Sequence, residues 1–428
     1  MKTNITNSMN NSLLMISTLV FCSSVLAEDW PQYHGTNSNR TTQEKIANTD
    51  WKQKKPKQLW GAKTPTGFSS MILANGAAYT TISEEIDGIP SEVCVSFDAE
   101  TGETRWKANL DIWRVDHGGG NAGAPNNKGG DGPRTTPSYS DDRIYAYTSD
   151  MLLACLSAED GSKIWSVEVT KAHKGRNIRW ENASAPLIEQ DMVIVQGGGP
   201  GESFLAFDKV SGKIKWKSGD YLMTHATPVA ATINDQRQVL FFTQKGIVSV
   251  NSANGKQLWT HKFPYKVSTA ASAVVESNIV YFAAGYGVGS TAIKVSKDNS
   301  TKELWFHEGN KPVTNHWSTP LVKDGYLYGM FGFKEYGNGP LKCVELKTGK
   351  VMWEKSGYGP AGVCLAGNTL ICLGDMGQLT LVKASPDNYT EISRLDRVIN
   401  GKCWSSPIFA DGKVLIRSIA EAACLDLH

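Results

Sequence analysis

From Lys57 onward the chain alternates between short apolar runs and abrupt polar turns. The clearest unit is Cys343-Val-Glu-Leu-Lys-Thr-Gly-Lys-Val-Met-Trp353: a run with strand character, a turn ending in Thr-Gly, three residues, then Trp. The frame returns at residues 97–106, 156–165, 207–216 and 250–259, each with Gly four residues before Trp. Two weaker copies keep the frame. One ends at Trp305 with Thr301 in the glycine place, and the other carries Asn388 and Ile392 where Gly and Trp would stand. Asp, Asn and Thr bond their own backbone in turns and Gly supplies positive φ, so each unit predicts a hairpin. The Trp opens the outgoing strand with a large apolar face. A lone hairpin cannot bury that face, so the units must stack.

The Trp spacings from Trp106 to Trp353 are 59, 51, 43, 46 and 48 residues. A repeat of that length with four short strands predicts a propeller blade of the WD40-like kind. Outgoing strands at Trp60, Trp106, Trp165, Trp216, Trp259, Trp305, Trp353 and Ile392 give eight blades. Lys57-Gln-Leu-Trp60 has no hairpin before it, and Ala422-Ala-Cys-Leu-Asp-Leu427 has no Trp after it. Joined, they complete one blade from both termini and remove the open edge of the ring. The fold class is therefore all-β, an eight-bladed propeller. Its inner strands are marked by Thr135-Thr-Pro-Ser, Ser184-Ala-Pro-Leu, Ala226-Thr-Pro-Val, Ser318-Thr-Pro-Leu and Ser405-Ser-Pro-Ile. Small residues suit the crowded axis, and Pro is tolerated at a strand start.

The formal net charge of +2 gives no argument for nucleic acid as a partner. The apolar run Leu13 to Cys22, followed by Val25-Leu-Ala27, reads as an export signal cut after Ala27. Leu19-Val-Phe-Cys22 is a weaker fit to a lipoprotein box, with Phe before the Cys. The expected organisation is a signal peptide at 1–27, a polar, structureless extension at 28–56 and the propeller at 57–428. The mature protein would be periplasmic or secreted. No further apolar stretch is long enough to span a bilayer. Seven cysteines remain after cleavage, an odd number. Cys155, Cys343 and Cys424 occupy one place in three blades and read as small buried residues. Cys364 and Cys372 flank a turn, as a cross-strand disulfide or as two thiols. One insertion, 111–134, is rich in Gly and reads as a flexible loop or lid.

Residues just before the inner strands should ring one mouth of the channel. They are Arg134, Trp180, Glu181, Asn182, His225, Asn315, His316, Trp317, Lys402 and Trp404. Arg134 and Lys402 suit an anionic group. His225 or His316 suits a general base with Glu181 as partner. The three Trp suit a planar ligand or a sugar. The plainer reading is a wet channel in which such groups satisfy one another. No cluster supports a metal site.

The Asp/Asn-x-x-x-Gly-x-x-x-Trp repeat resembles the tryptophan-docking motif of pyrroloquinoline quinone (PQQ) propellers. Trp30-Pro-Gln, Gly132-Pro-Arg-Thr-Thr-Pro137 and Cys403-Trp-Ser-Ser-Pro407 are similar to the exported PQQ-binding-like repeat proteins. The resemblance covers essentially the whole mature chain. It implies either a binding or scaffolding module of the cell envelope, with a protein partner or a small ligand, or a PQQ-dependent quinoprotein oxidoreductase of the alcohol or sugar dehydrogenase type. The dehydrogenase branch would bring PQQ with calcium, a vicinal Cys-Cys disulfide and long insertions. This chain has no adjacent cysteines and no matching calcium-ligand set, and only 111–134 approaches an insertion. The expectation is therefore a binding or scaffolding module first.

Overall fold

The computed structural model describes Met1 and residues 28–113 and 132–428; most of the 111–134 insertion and the expected signal peptide lie outside the described residues. The apolar runs form eight four-stranded antiparallel blades, arranged as a β-propeller, and one blade gains a fifth, parallel strand from the N-terminal segment. Blades 1 to 7 occupy residues 72–112, 138–168, 187–218, 229–262, 274–308, 321–355 and 362–395. Blade 8 takes three strands from residues 408–426, and its outermost strand is Lys57–Lys63 from the other end of the chain. Those two ends pair antiparallel with Trp60 opposite Cys424. No blade is left half-built, which is how the ring closes without an exposed edge.

The Gly-to-Trp spacing has a direct physical cause. Each Trp follows a β-bulge and lies opposite a small residue on the third strand: Ser96, Cys155, Ala206, Ser249, Ala292, Cys343 or Cys424. That explains the recurrent cysteines. The indole reaches the turn of the next blade and donates from Nε1 to a backbone carbonyl there: Trp60 to Ala99, Trp106 to Ala158, Trp216 to Ser252, Trp353 to Ser385, all within 3.0 Å. The turn glycine lies under the ring. A Cβ on Gly102, Gly161, Gly212, Gly255 or Gly349 would fall 2.4–2.7 Å from the indole, and all five have φ near +70°. The glycine thus serves its own turn and the preceding blade's tryptophan at once.

The two weak copies behave differently from the sequence frame. In blade 5 the left-handed residue is Asn299, not Thr301. Trp259, which faces that blade, instead donates to Gln238 Oε1 in its own blade at 2.7 Å. In blade 7 Ile392 is the bulged residue and Ser393 holds the tryptophan register, opposite Leu381. A small residue there leaves room that Trp51 fills. Trp51 is 4% exposed and donates its backbone N–H to Ser393 Oγ.

Trp51 belongs to the segment expected to be polar and structureless, and that expectation is overturned. Residues 28–51 cross one end of the channel. Trp30 bridges Leu73 of blade 1, Pro31 O accepts from Tyr139 N of blade 2, and Gln32 Oε1 accepts from Ile188 N of blade 3. His34 bonds Ser272 Oγ of blade 5, Arg40 Nη1 donates to Ser406 Oγ of blade 8, and Thr41–Thr42 adds a parallel strand to blade 7. The inner strands of a propeller are sheet edges, and this segment satisfies several of them. Cys364 and Cys372 are not bonded. The tight Gly367-Asn368 loop pairs Cys364 with Ile371 and Cys372 with Val363, so the two thiols lie on opposite faces of the sheet. All seven described cysteines are buried and free, and burial lifts Cys155, Cys343 and Cys424 to about 12.

Candidate functional site

The chain before each inner strand carries a hydroxyl or other small residue, and these groups join the blades around the axis. Ser70 N donates to Thr136 Oγ1, Ala185 N to Thr227 Oγ1, Ser272 N to Thr319 Oγ1 and Ser406 N to Ser70 Oγ, all between 2.9 and 3.1 Å. This ring is rigid, and the residues just ahead of it project into the mouth opposite the N-terminal segment. There they enclose a cavity of about 460 Å³.

Six of the ten residues expected from the sequence line it: Arg134, Trp180, His225, His316, Trp317 and Trp404. The other four do not. Asn182 is a brace whose Oδ1 accepts from Ser184 N and whose Nδ2 donates to Thr148 O. Asn315 accepts from the Tyr281 hydroxyl and donates to Met330 O. Glu181 is buried near Glu92, and its charge helps lift that carboxyl to about 8, after burial as the larger cause. Lys402 sits 5.7 Å from the Trp404 ring centroid, outside the cavity lining.

Tyr33, Phe68, Tyr286, Lys334 and Tyr336 also line the cavity, although no inner-strand signal in the sequence marks them. Tyr286, Lys334 and Tyr336 come from loops between the second and third strands of blades 5 and 6. The available signal was local: Gly285-Tyr-Gly287 and Gly332-Phe-Lys-Glu-Tyr-Gly337 put aromatic and basic residues where other blades have plain turns. Tyr33 comes from the N-terminal segment, with the Arg40 guanidinium 5.0 Å from its ring centroid.

Seven aromatic rings thus share the cavity wall. Trp404 is stacked with Phe68 at 5.4 Å and with Tyr336 at 5.3 Å, and lies 4.8 Å from Trp317. Among the described residues, two cations, Arg134 and Lys334, line the cavity and no carboxylate does. The Arg134 guanidinium lies 5.6 Å from the Phe68 ring, and the Lys334 ammonium 4.7 Å from the Tyr286 ring.

The two histidines are neutral at pH 7. Burial, then the Arg134 charge, lowers His225 to about 4; burial, then Lys334 and His225, lowers His316 to about 3. His225 Nε2 lies 3.0 Å from Arg179 O, which can only accept, so Nε2 carries the proton and Nδ1 accepts from Ser268 Oγ at 3.0 Å. Both ring nitrogens are therefore engaged, and so weak a base is poorly matched to proton abstraction near neutral pH. The ring of His316 packs against Tyr286, Trp317 and Phe333, and its buried Nδ1 has no hydrogen-bond partner among the described residues. Among the described residues no group of three His, Cys, Asp or Glu could hold a metal ion. Calcium takes carboxylate and carbonyl oxygens. The described residues lining this cavity therefore do not supply the donor set of a calcium-bound quinone.

The model of the family described as outer membrane protein assembly factor BamB matches residues 90–355. No curated protein matches the chain. Among solved structures, BamB from Moraxella catarrhalis is similar at 16% identity, covering 87% of this chain and 97% of that one, with a TM-score of 0.60. The quinohemoprotein alcohol dehydrogenase ADHIIG from Pseudomonas putida HK5 is similar at 14% identity over 94% of this chain and 80% of that one, with a TM-score of 0.65. The computationally designed Ika8 protein is similar at 12% identity, covering 86% and 98%, with a TM-score of 0.58. At these identities the likeness to solved structures is one of fold. The family match spans more than half of the sequence and includes six of the repeat tryptophans, so this chain belongs to the PQQ-repeat β-propeller family described as outer membrane protein assembly factor BamB.

Proposed function

We propose that the chain is an exported binding module of the cell envelope whose channel mouth opposite the N-terminal segment takes a small, planar, anionic ligand. The observation that carries this reading is the composition of the cavity: among the described residues, seven aromatic rings and two cations but no carboxylate line a space of about 460 Å³. Aromatic faces supply contact area at low entropic cost, and cations in a half-enclosed site select for negative charge. A cavity of this size suits a ligand rather than a water channel. One feature supports export: the apolar run Leu13 to Cys22 followed by Val25-Leu-Ala27.

PQQ alone, a planar tricarboxylate, is a suitable probe of this chemistry. The dehydrogenase reading draws less support because the described donor set does not fit calcium and because His225 and His316 are poor bases. Protein scaffolding keeps one specific observation in its favour. Tyr336 and Met376, 39% and 58% exposed, form an apolar rim beside the mouth, where Gly337 lies next to the Met376 side chain.

The test is a titration of tryptophan fluorescence with PQQ in the presence of a calcium chelator. Saturable quenching is expected, weakened about tenfold or more, or about 1.4 kcal/mol, by Lys334→Gln and by Arg134→Gln. Quenching that never saturates, or equal affinity in both variants and the parent, would refute the site.

A further inference from the structure

At the start of the described chain, a carboxylate is placed where a cleaved N-terminus would fall. Glu28 N lies 2.6 Å from Glu44 Oε1. Glu44 is 7% exposed, and its carboxylate also accepts from Asp411 N at 2.9 Å and Gly412 N at 3.1 Å. The Glu28 side chain turns back as well, accepting from Thr42 Oγ1 at 2.6 Å and Gln43 N at 3.3 Å. Residues 28 and 42–44 therefore form a clasp that closes the plug segment on itself and pins it to a turn of blade 8.

The clasp is rich in negative charge. Glu28, Asp29, Glu44 and Asp411 gather there. The cation ion-paired with this group among the described residues is Lys413, which divides its ammonium between Asp411 and Glu100. The excess is visible at Asp29, whose carboxyl is raised by burial first and then by the charges of Asp411 and Glu44. A buried carboxylate group is costly unless a positive charge balances it. An internal amide at residue 28 offers one neutral N–H, whereas an α-ammonium offers three donors and a full charge.

We propose that the chain is cut between Ala27 and Glu28 and that the new α-ammonium of Glu28 pairs with Glu44, locking the N-terminal segment across the channel. The cut is hydrolysis by an external endopeptidase that recognises small residues at Val25 and Ala27. Water adds across the peptide bond, Ala27 leaves as a carboxylate, and the Glu28 amine takes up a proton. Processing thereby completes the floor of the binding cavity, because Tyr33 lies within the locked segment. This inference rests on the export reading but not on any ligand being bound.

Two measurements test it. The intact mass of protein recovered after export should correspond to a chain beginning at Glu28. A lipidated start at Cys22, or any other exported terminus, overturns the proposal and leaves export standing; an uncut chain beginning at Met1 overturns both. Next, hydrogen exchange over residues 28–44 is compared between protein starting at Glu28 and the same protein with one added Ala before it. Exchange should be at least tenfold faster in the extended form, and Glu44→Gln should abolish the difference. Equal exchange in the two forms refutes the ion pair, and this comparison stands even where Glu44→Gln does not fold.

Discussion

Replacing Gly255 with Ala tests the docking mechanism that builds the ring. Gly255 has φ +70°, and a Cβ added there would lie 2.4 Å from Trp216 Cε3 and 2.8 Å from Cδ2. Ordinary carbon contacts are about 3.5–4.0 Å, so the indole would have to retreat by about 1 Å. It has little freedom to do so, being 7% exposed and held by its Nε1–H to Ser252 O at 3.0 Å. A left-handed alanine costs about 1–2 kcal/mol, and an indole N–H pulled from its buried acceptor adds about 1–3 kcal/mol. Gly201→Ala is the control. Gly201 has the same φ of +70° but nothing within 4 Å of the added Cβ, so only the backbone cost applies. The assay is urea unfolding followed by fluorescence and far-UV circular dichroism, with stability read from the midpoint at constant slope. Gly255→Ala should lose at least about 1.5 kcal/mol more than Gly201→Ala. Its cost should be sub-additive with Trp216→Phe, which shrinks the clashing ring. Equal losses in the two alanine variants, or strict additivity with Trp216→Phe, would refute the claim that the glycine is there for the neighbouring tryptophan.

Three further outcomes are expected. Glu92 is buried and raised to about 8, so its favourable neutral form is fully present below the unfolded value near 4.5 and is lost as pH rises through 8. Glu92→Gln should therefore raise the melting midpoint at pH 8.5, by an amount corresponding to about 2–4 kcal/mol, and change it little at pH 5. His225 and His316 titrate in the other sense. Because their folded values of about 4 and 3 lie below the unfolded 6.5, each lowers stability as pH falls from 6.5 toward its folded value, by about 2 kcal/mol at pH 5. His225→Gln should flatten that acid limb in a pH series of denaturant midpoints. Deleting residues 422–428 removes the strand that pairs with Lys57–Lys63 and should lower the melting temperature and broaden the transition; a truncated chain melting cooperatively at the parent temperature would refute closure.

The blades were legible because their chemistry is local. A turn that needs positive φ and a large ring four residues later are both written in adjacent positions, and they recur. Arg134, Trp180, His225, His316, Trp317 and Trp404 were legible for a related reason, since the Ser/Thr-Pro signals announce each inner strand and these residues stand just before it. The N-terminal segment was not legible. Its polar residues serve backbone edges that come together only once the ring has closed, so no periodicity marks Gln32, His34 or Arg40 as buried. Tyr33 was lost with it. Lys334 and Tyr336 sit on a loop whose direction is fixed by blade 6 as a whole. The frame at Ile392 failed by one residue because the bulge that precedes each Trp in the other blades falls here on Ile392 itself, leaving Ser393 in the tryptophan register, a displacement that spacing alone does not reveal.

Ligand recognition is proposed at the mouth opposite the N-terminal segment. Hydrogen exchange with and without PQQ tests it most directly, because the cavity draws on segments far apart in sequence. The account predicts slowed exchange in peptides carrying Tyr33, Phe68, Trp180, His225, Trp317 and Trp404 together, with the blade rims unchanged. Protection confined to blade edges, or none in those six peptides at saturating ligand, would contradict it.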